Sequence, residues 1–158
     1  MERLVILAPN WLGDAVMALA AIADVRRGAG TAHLAVAARP AVAPLFPLVP
    51  GVDETIVLTR RASLGRIGTW AAIGEELRGR GFDTALLLPN SIHAALVAAR
   101  AGIPERWGYA NGVRSRWLTR SVPTTSGGHQ ADYYRRLVAA LGFANGPREP
   151  RIAIPDAG

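Results

Sequence analysis

Short apolar runs alternate with longer segments in which apolar residues recur every three or four positions. The continuous runs predict buried parallel strands, and the periodic segments predict amphipathic helices. The predicted strands are 4–8, 33–37, 55–58, 83–88 and 106–109. The predicted helices are 14–28, a short one within 40–49, 69–80 with Thr69 as its cap, 91–100 and 130–141. The intervening 60–68 and most of 111–128 are predicted to be loop, and 151–155 one more short strand.

Strands that alternate with helices in this way predict an α/β fold, a doubly wound parallel sheet covered by helices on both faces. Ligands of such sheets bind outside the carboxyl ends of the strands. In this chain those ends are followed by 9–14, 60–66, 89–91 and 109–116, so we expect the functional residues there.

Composition narrows the function classes. The 158 residues suit one domain, half of them are hydrophobic, and there is no Cys to form disulfides or thiolate metal sites. No apolar run reaches membrane-spanning length, and the start does not have the pattern of a signal peptide. All 18 basic residues are Arg, and the net charge of +6 indicates an anionic partner: nucleic acid, anionic lipid, or an acidic or phosphorylated substrate.

The turn after the first strand carries the most informative polar residues. It holds Asn10, Trp11, Gly13 and Asp14, and it has neither the GxGxxG pattern of dinucleotide binding nor a P-loop. Asp14 is interpreted either as the cap of the following helix or as a general base facing a cleft. Trp11 is expected either to stack on a sugar or to pack under the loop.

Polar residues follow the fourth strand in the same way. Asn90 or Ser91 is expected to cap the next helix, and the alternative is a contact to a sugar hydroxyl or phosphate. His93 is interpreted as structural rather than as a ligand contact. His129 and Asp132 fit a helix start better than a metal site, because no third ligand accompanies them.

Two groups of arginines lie in loops at this edge of the predicted sheet. Arg60, Arg61 and Arg66 are in one loop, and Arg114, Arg116 and Arg120 are in another. Their guanidinium groups suit a phosphate or a sugar-acid carboxylate. Nucleic acid is a weaker interpretation, because few aromatic residues lie nearby and no recognition motif is present. No GxSxG elbow supports a serine hydrolase.

The order of these motifs resembles a known family. The stretches ILAPNWLGDAVM (6–17), GFDTALLLPNS (81–91) and AGIPERWGY (101–109), followed by His129, Tyr133-Tyr134 and Leu141-Gly142, resemble the ADP-heptose:lipopolysaccharide heptosyltransferases of glycosyltransferase family 9. The similarity is greatest to the heptosyltransferase II type and covers nearly the whole chain.

The resemblance implies the amino-terminal half of a GT-B enzyme, a Rossmann-like domain that binds the acceptor. The implied acceptor is a lipopolysaccharide inner core of heptose and Kdo on lipid A, and ADP-heptose would bind to a carboxyl-terminal domain that this chain lacks. The implied reaction is inverting and needs no cofactor and no bound metal. The implied location is cytoplasmic, with peripheral contact at the inner membrane.

Family residues transfer to this chain position by position. Asp14 inherits the role of general base from the family's Gly-Asp pair. Acceptor contacts are assigned to the first turn, to the turn after the fourth strand and to the Arg loops: Asn10, Trp11, Gly13, Arg60, Arg61, Asn90, Ser91, Arg114, Arg116 and Arg120.

The domain division predicted is an acceptor-binding domain over 1–150 and the start of an interdomain linker over 151–158. A stand-alone α/β module that binds an anion or small molecule without catalysis is the alternative, and an Arg-rich nucleic-acid binder is the third hypothesis.

Overall fold

A computed structural model describes residues 1–59, 65–124, 127–149 and 151–154, with 65–67 described by their backbone alone. The strands are β1 (Arg3–Leu7), β2 (His33–Ala38), β3 (Glu54–Val57), β4 (Thr84–Leu87), β5 (Glu105–Tyr109) and β6 (Arg120–Val122). The α-helices are α1 (Leu12–Met17), α2 (Leu19–Gly28), α3 (Gly65–Arg78), α4 (Ile92–Arg100) and α5 (Gln130–Ala140), and Ala43–Leu48 and Gly112–Trp117 are 3₁₀ helices.

The six strands form one parallel sheet in the order β3-β2-β1-β4-β5-β6. The chain builds outward from β1 to β3, returns to the other side of β1, and then builds outward again from β4 to β6. The order therefore reverses between β1 and β4, and this is where a doubly wound sheet opens a crevice for ligands.

Successive residues of β1 face opposite sides of the sheet, and both sides are covered. Leu4 and Ile6 belong to a core formed with α1, α2 and α5. Val5 and Leu7 belong to a second core formed with α3 and α4. All four side chains are nearly inaccessible, which explains why β1 is a continuous apolar run rather than an alternating one.

Asp83 links the amino ends of β1 and β4 through hydrogen bonds. Its carboxylate accepts hydrogen bonds from the backbone N–H groups of Glu2 (2.7 Å) and Arg3 (2.9 Å) and from the Thr84 hydroxyl (2.6 Å). Burial acts to raise the pKa of the Asp83 carboxyl, but these hydrogen bonds outweigh burial and hold it below its ordinary value. Asp83 thus joins the start of β1 to β4.

A buried ion pair fixes the segment that follows α5. Asp24 on α2 is inaccessible, and it accepts hydrogen bonds from Arg135 Nε (3.3 Å) and from the backbone N–H of Gly146 (2.8 Å). Arg135 also donates to the Gly146 carbonyl. Both polar atoms of the Gly146 peptide backbone are therefore held against the α2 and α5 layer.

Four of the predicted elements differ from the structure. The first helix is divided at Ala18 into α1 and α2, and α3 begins at Gly65, so that Thr69 is a buried helical residue and not a cap. The stretch 111–128, predicted as mostly loop, contains a 3₁₀ helix and the edge strand β6. Residues 151–154 form no strand, although Ala153 N–H donates to the Leu48 carbonyl at 2.7 Å.

The remaining predicted elements agree with the structure. The five predicted strands, the short helix within 40–49, and α4 and α5 are confirmed, and so is the doubly wound parallel sheet. None of the helices in the described ranges is long and apolar enough to cross a bilayer.

Candidate functional site

The turn between β1 and α1 projects from the sheet beside the crevice. Trp11 stands at the N-cap position of α1 without a side-chain cap, and its carbonyl accepts from Ala15 N–H at 2.9 Å. The interpretation of Trp11 as a residue packed under the loop is wrong, because 74% of it is exposed. Asn10 and Gly13 are also exposed. The turn therefore offers an open aromatic face and an amide at the ligand edge.

Asp14 lies in the first turn of α1 and is half-buried. The interpretation of Asp14 as the helix cap is wrong, since the cap position belongs to Trp11. Burial raises the pKa of the neighbouring Tyr134 phenol, and the charge of the Asp14 carboxylate raises it further. Tyr134 therefore stays protonated beside Asp14.

The turn between β4 and α4 is fixed by its own side chains and by α5. Ser91 caps α4, because its Oγ accepts a hydrogen bond from Ala94 N–H at 3.3 Å. Of the two residues expected to cap this helix, Asn90 and Ser91, the structure thus selects Ser91. Asn90 Nδ2 donates to the Tyr133 hydroxyl, and Asn111 Nδ2 donates to the Asn90 carbonyl at 2.9 Å. The Asn90 Oδ1 atom is buried and has no hydrogen-bond partner within the described ranges.

Arg114 connects the carboxyl end of β5 to the turn that follows β4. It is 1% exposed and donates to three carbonyls, those of Tyr109 (3.0 Å), Pro89 (2.6 Å) and Ser91 (3.1 Å). A Cβ at Gly108 would come within 2.6 Å of its second terminal nitrogen, so glycine makes room for the guanidinium. Burial lowers the pKa of Arg114. Because its hydrogen bonds are internal, Arg114 positions the turns in this structure rather than presenting a free cation.

The other predicted arginines are not gathered in one place. Arg116 is exposed on the 3₁₀ helix Gly112–Trp117. Arg120 stands at the amino end of β6, where it donates to the Leu141 carbonyl (3.2 Å) and covers the Trp107 ring at 4.9 Å. The expected position of Arg120 in a loop at the carboxyl edge is therefore wrong. Arg60 and Arg61 lie outside the described residues.

The two histidines singled out in the sequence have structural partners. His93 stacks on Trp70 with ring centroids 4.7 Å apart and rings tilted by 4°. His129 caps α5 by accepting from Ala131 N–H at 3.2 Å, and Asp132 pairs with Arg148 at 2.5 Å. Within the part of the chain that the structure describes, no three His, Asp or Glu side chains are grouped as a metal site requires.

A cavity of 440 Å³ opens at the carboxyl edge, where the strand order reverses. The ends of β1, β2 and β4 and the helices α3 and α4 form its walls, which are mainly apolar. Its polar lining residues are Asn10, Arg39, Thr59, Thr69 and Ser91. Apolar walls with a few converging polar groups are the usual makeup of a small-molecule site. The structure thus brings Asn10 and Ser91 to one cavity, with Asp14 in the adjoining turn.

Arg39 is the charged lining residue that the sequence analysis missed. It directly follows β2, and the carboxyl end of that strand was not included among the expected ligand-binding ends. Its position immediately after a buried parallel strand could have identified Arg39 as a cation at the ligand-binding edge of the sheet.

The comparisons with known proteins agree on one family. The family model described as glycosyltransferase family 9 (heptosyltransferase) matches residues 70–157. Lipopolysaccharide heptosyltransferase 2 of Escherichia coli K12 is 31% identical over 112 residues, and that of Salmonella typhimurium LT2 is 30% identical over 112 residues. Each alignment covers 71% of this chain and 32% of the relative.

Solved structures agree with the same fold. The E. coli ADP-heptose lps heptosyltransferase II superposes with a TM-score of 0.78 at 28% identity, over 99% of this chain and 47% of that one. The glycosyl transferase family 9 protein from Veillonella parvula gives 0.86 at 19% identity, over 98% and 46%. The chain therefore spans about half the length of these solved chains and a third of the aligned relatives, and its sheet matches one part of a GT-B enzyme.

Proposed function

The chain belongs to glycosyltransferase family 9 (heptosyltransferase), and we propose that it is the acceptor-binding domain of an inverting enzyme that transfers heptose from ADP-heptose to the lipopolysaccharide inner core. The observation that carries the proposal is the meeting of the Asp14 turn and the Ser91 turn beside one cavity, at the point where the strand order reverses. ADP-heptose is assigned to the other half of the enzyme.

Asp14 is the general base of this proposal. Its carboxylate takes the proton of an acceptor hydroxyl while that oxygen forms a bond to the anomeric carbon of the donor heptose. The bond from this carbon to the ADP oxygen breaks on the opposite face, and ADP leaves with the electron pair. The half-buried position of Asp14 in the turn beside the crevice supports this role.

The remaining acceptor contacts follow from the edge geometry. Trp11 offers an exposed ring face to a sugar, and Asn10 and Ser91 offer polar atoms at the cavity. Arg60, Arg61 and Arg116 are proposed contacts to carboxylates and phosphates of the inner core. Such an acceptor is anchored in a membrane, so the proposal places the enzyme in the cytoplasm at the inner face of that membrane.

Turnover by a complete enzyme tests the assignment of Asp14. The chain is joined to the carboxyl-terminal half of E. coli heptosyltransferase II to give a chimera. The rate of heptose transfer by this chimera is measured from the ADP that it releases. Asp14→Asn is expected to lower kcat by about 10²–10⁴-fold, the usual contribution of one general base.

Glu2→Gln is the matched control, because it removes an exposed carboxylate at the opposite edge of the sheet. We expect its kcat to equal that of the parent chimera and expect both variants to retain the parent's melting temperature within a few degrees. An Asp14→Asn variant that is folded and turns over at the parent's rate contradicts the proposed base.

A further inference from the structure

Most arginines whose side chains the structure describes have at least one partner within the protein. They donate to backbone carbonyls, as Arg114 does, or pair with carboxylates, as Arg80 does with Glu54 at 2.5 Å. The described guanidinium groups for which the structure shows neither kind of partner are those of Arg39, Arg116 and Arg151. Arg39 differs from the other two because it lines the cavity.

Backbone hydrogen bonds fix the chain at Arg39 and at the two residues before it. The Arg39 carbonyl accepts hydrogen bonds from the N–H groups of Val42 and Ala43, both at 2.9 Å. The preceding carbonyls of Ala37 and Ala38 accept from Ala8 N–H (2.9 Å) and Leu58 N–H (2.8 Å). The side chain therefore starts from a fixed point at the carboxyl end of β2, which reduces the conformational entropy lost when a ligand binds.

The surroundings of Arg39 favour an anion. The other cavity polar groups, Asn10, Thr59, Thr69 and Ser91, are neutral, and the walls are mainly apolar. Arg39 is an exposed residue of the cavity lining, and its planar guanidinium can bind a carboxylate or a phosphate through two parallel hydrogen bonds. The C–H faces of a sugar ring suit the apolar walls, and its hydroxyls suit the amide and hydroxyl groups.

We propose that Arg39 binds the anionic group, a carboxylate or a phosphate, of an acidic sugar whose ring occupies this cavity. The proposal rests on the proposed function, since it names the residue by which the acceptor-binding domain selects an acidic acceptor. It adds a third strand end, that of β2, to the two that carry Asn10 and Ser91.

Titrations of the 158-residue chain followed by ¹H–¹⁵N NMR test this assignment. The probes are glucuronate, the neutral sugar glucose and inorganic phosphate. We expect glucuronate to shift the amide signals of Ala38, Asn10 and Ser91 and the Nε–H signal of Arg39 in a saturable way. Glucose is expected to bind at least about tenfold more weakly, since it lacks the charge-assisted hydrogen bonds.

Two substitutions separate charge from geometry. Arg39→Gln is expected to raise the Kd for glucuronate at least about tenfold and to leave weak glucose binding unchanged. Arg39→Lys keeps the charge but loses the planar guanidinium, so its Kd for glucuronate should lie between that of the unsubstituted chain and that of Arg39→Gln. Arg78→Gln is the matched control, because it removes an exposed charge at the far end of α3, and its Kd should equal that of the unsubstituted chain.

Each outcome decides the proposal. Phosphate that binds at the same amides more tightly than glucuronate, and depends equally on Arg39, identifies a phosphate group as the partner. Equal Kd values for glucuronate in Arg39→Gln and Arg78→Gln, or no saturable shift at the cavity with either anion, overturn the proposal. These titrations need no donor half, so a failure of Arg39 is distinguishable from a failure of the transferase assignment.

Discussion

Replacing Arg114 with Met tests the interpretation of this arginine as an internal clamp. The substitution removes three hydrogen bonds, to the carbonyls of Tyr109, Pro89 and Ser91, and leaves those acceptors under a buried thioether. Hydrogen bonds from a charged donor are worth about 1.5–3 kcal/mol each. The cost of burying the guanidinium, several kcal/mol, offsets much of that sum.

We therefore expect Arg114→Met to lower the free energy of unfolding by about 2–4 kcal/mol. For a chain of this size the melting temperature should fall by roughly 5–15 °C. Urea unfolding followed by far-UV circular dichroism measures the first quantity, and a thermal scan measures the second. The glucuronate affinity of the cavity should also fall, because the clamped Pro89 and Ser91 line it.

Arg116→Met is the control for this experiment, because the same change is made two residues away at an exposed position. Its effect on the free energy of unfolding is expected to stay within about 0.5 kcal/mol. Equal stability of the two variants would refute the interpretation of Arg114 as a clamp.

Three smaller perturbations probe the surrounding scaffold. Ser91→Ala removes the cap of α4 and should cost about 1 kcal/mol in urea unfolding. Gly108→Ala drives a methyl group against the Arg114 guanidinium and should cost about 1–3 kcal/mol, whereas Gly79→Ala, which meets no atom within 4 Å, should not destabilise the chain. Asp83→Asn should destabilise the chain at pH 7. Because the folded-state pKa of Asp83 is lowered from 3.8, that difference should shrink as the pH falls below this value and vanish once the native carboxyl is also protonated. A difference between Asp83→Asn and the parent that persists unchanged at the acid end of the titration would contradict the lowered pKa.

The strands could be predicted from the sequence because burial on both faces of a parallel sheet requires uninterrupted apolar runs, as at Leu4–Leu7. The same reasoning missed β6, whose three residues, Arg120–Val122, form an edge strand with one apolar residue. It also placed the start of α3 at Thr69, since hydroxyl residues are frequent caps, although the helix begins four residues earlier. The family resemblance, by contrast, is confirmed, because it rests on the order of motifs and not on element boundaries.

The turns that reach the cavity could be predicted from the strands that they follow, since Asn10 and Ser91 both line it. Asn10, Trp11 and Asp14 are neighbours in sequence, and the structure leaves them at one open turn. Arg114 and Arg116 look alike in sequence, yet Arg114 is buried and donates to the carbonyls of the distant turn at Pro89 and Ser91, whereas Arg116 is exposed. Which arginine is free depends on tertiary contacts, and no local pattern encodes them.

The measurement that tests the central claim most directly is a titration of the ¹⁵N-labelled chain with an inner-core oligosaccharide that carries heptose and Kdo. Saturable amide shifts are expected in the turns that hold Asn10, Trp11 and Ser91, at the carboxyl edge of the sheet. Shifts confined to the opposite edge, around Gly30 and Gly102, or no saturable shift at all would contradict the assignment of this chain as the acceptor-binding domain.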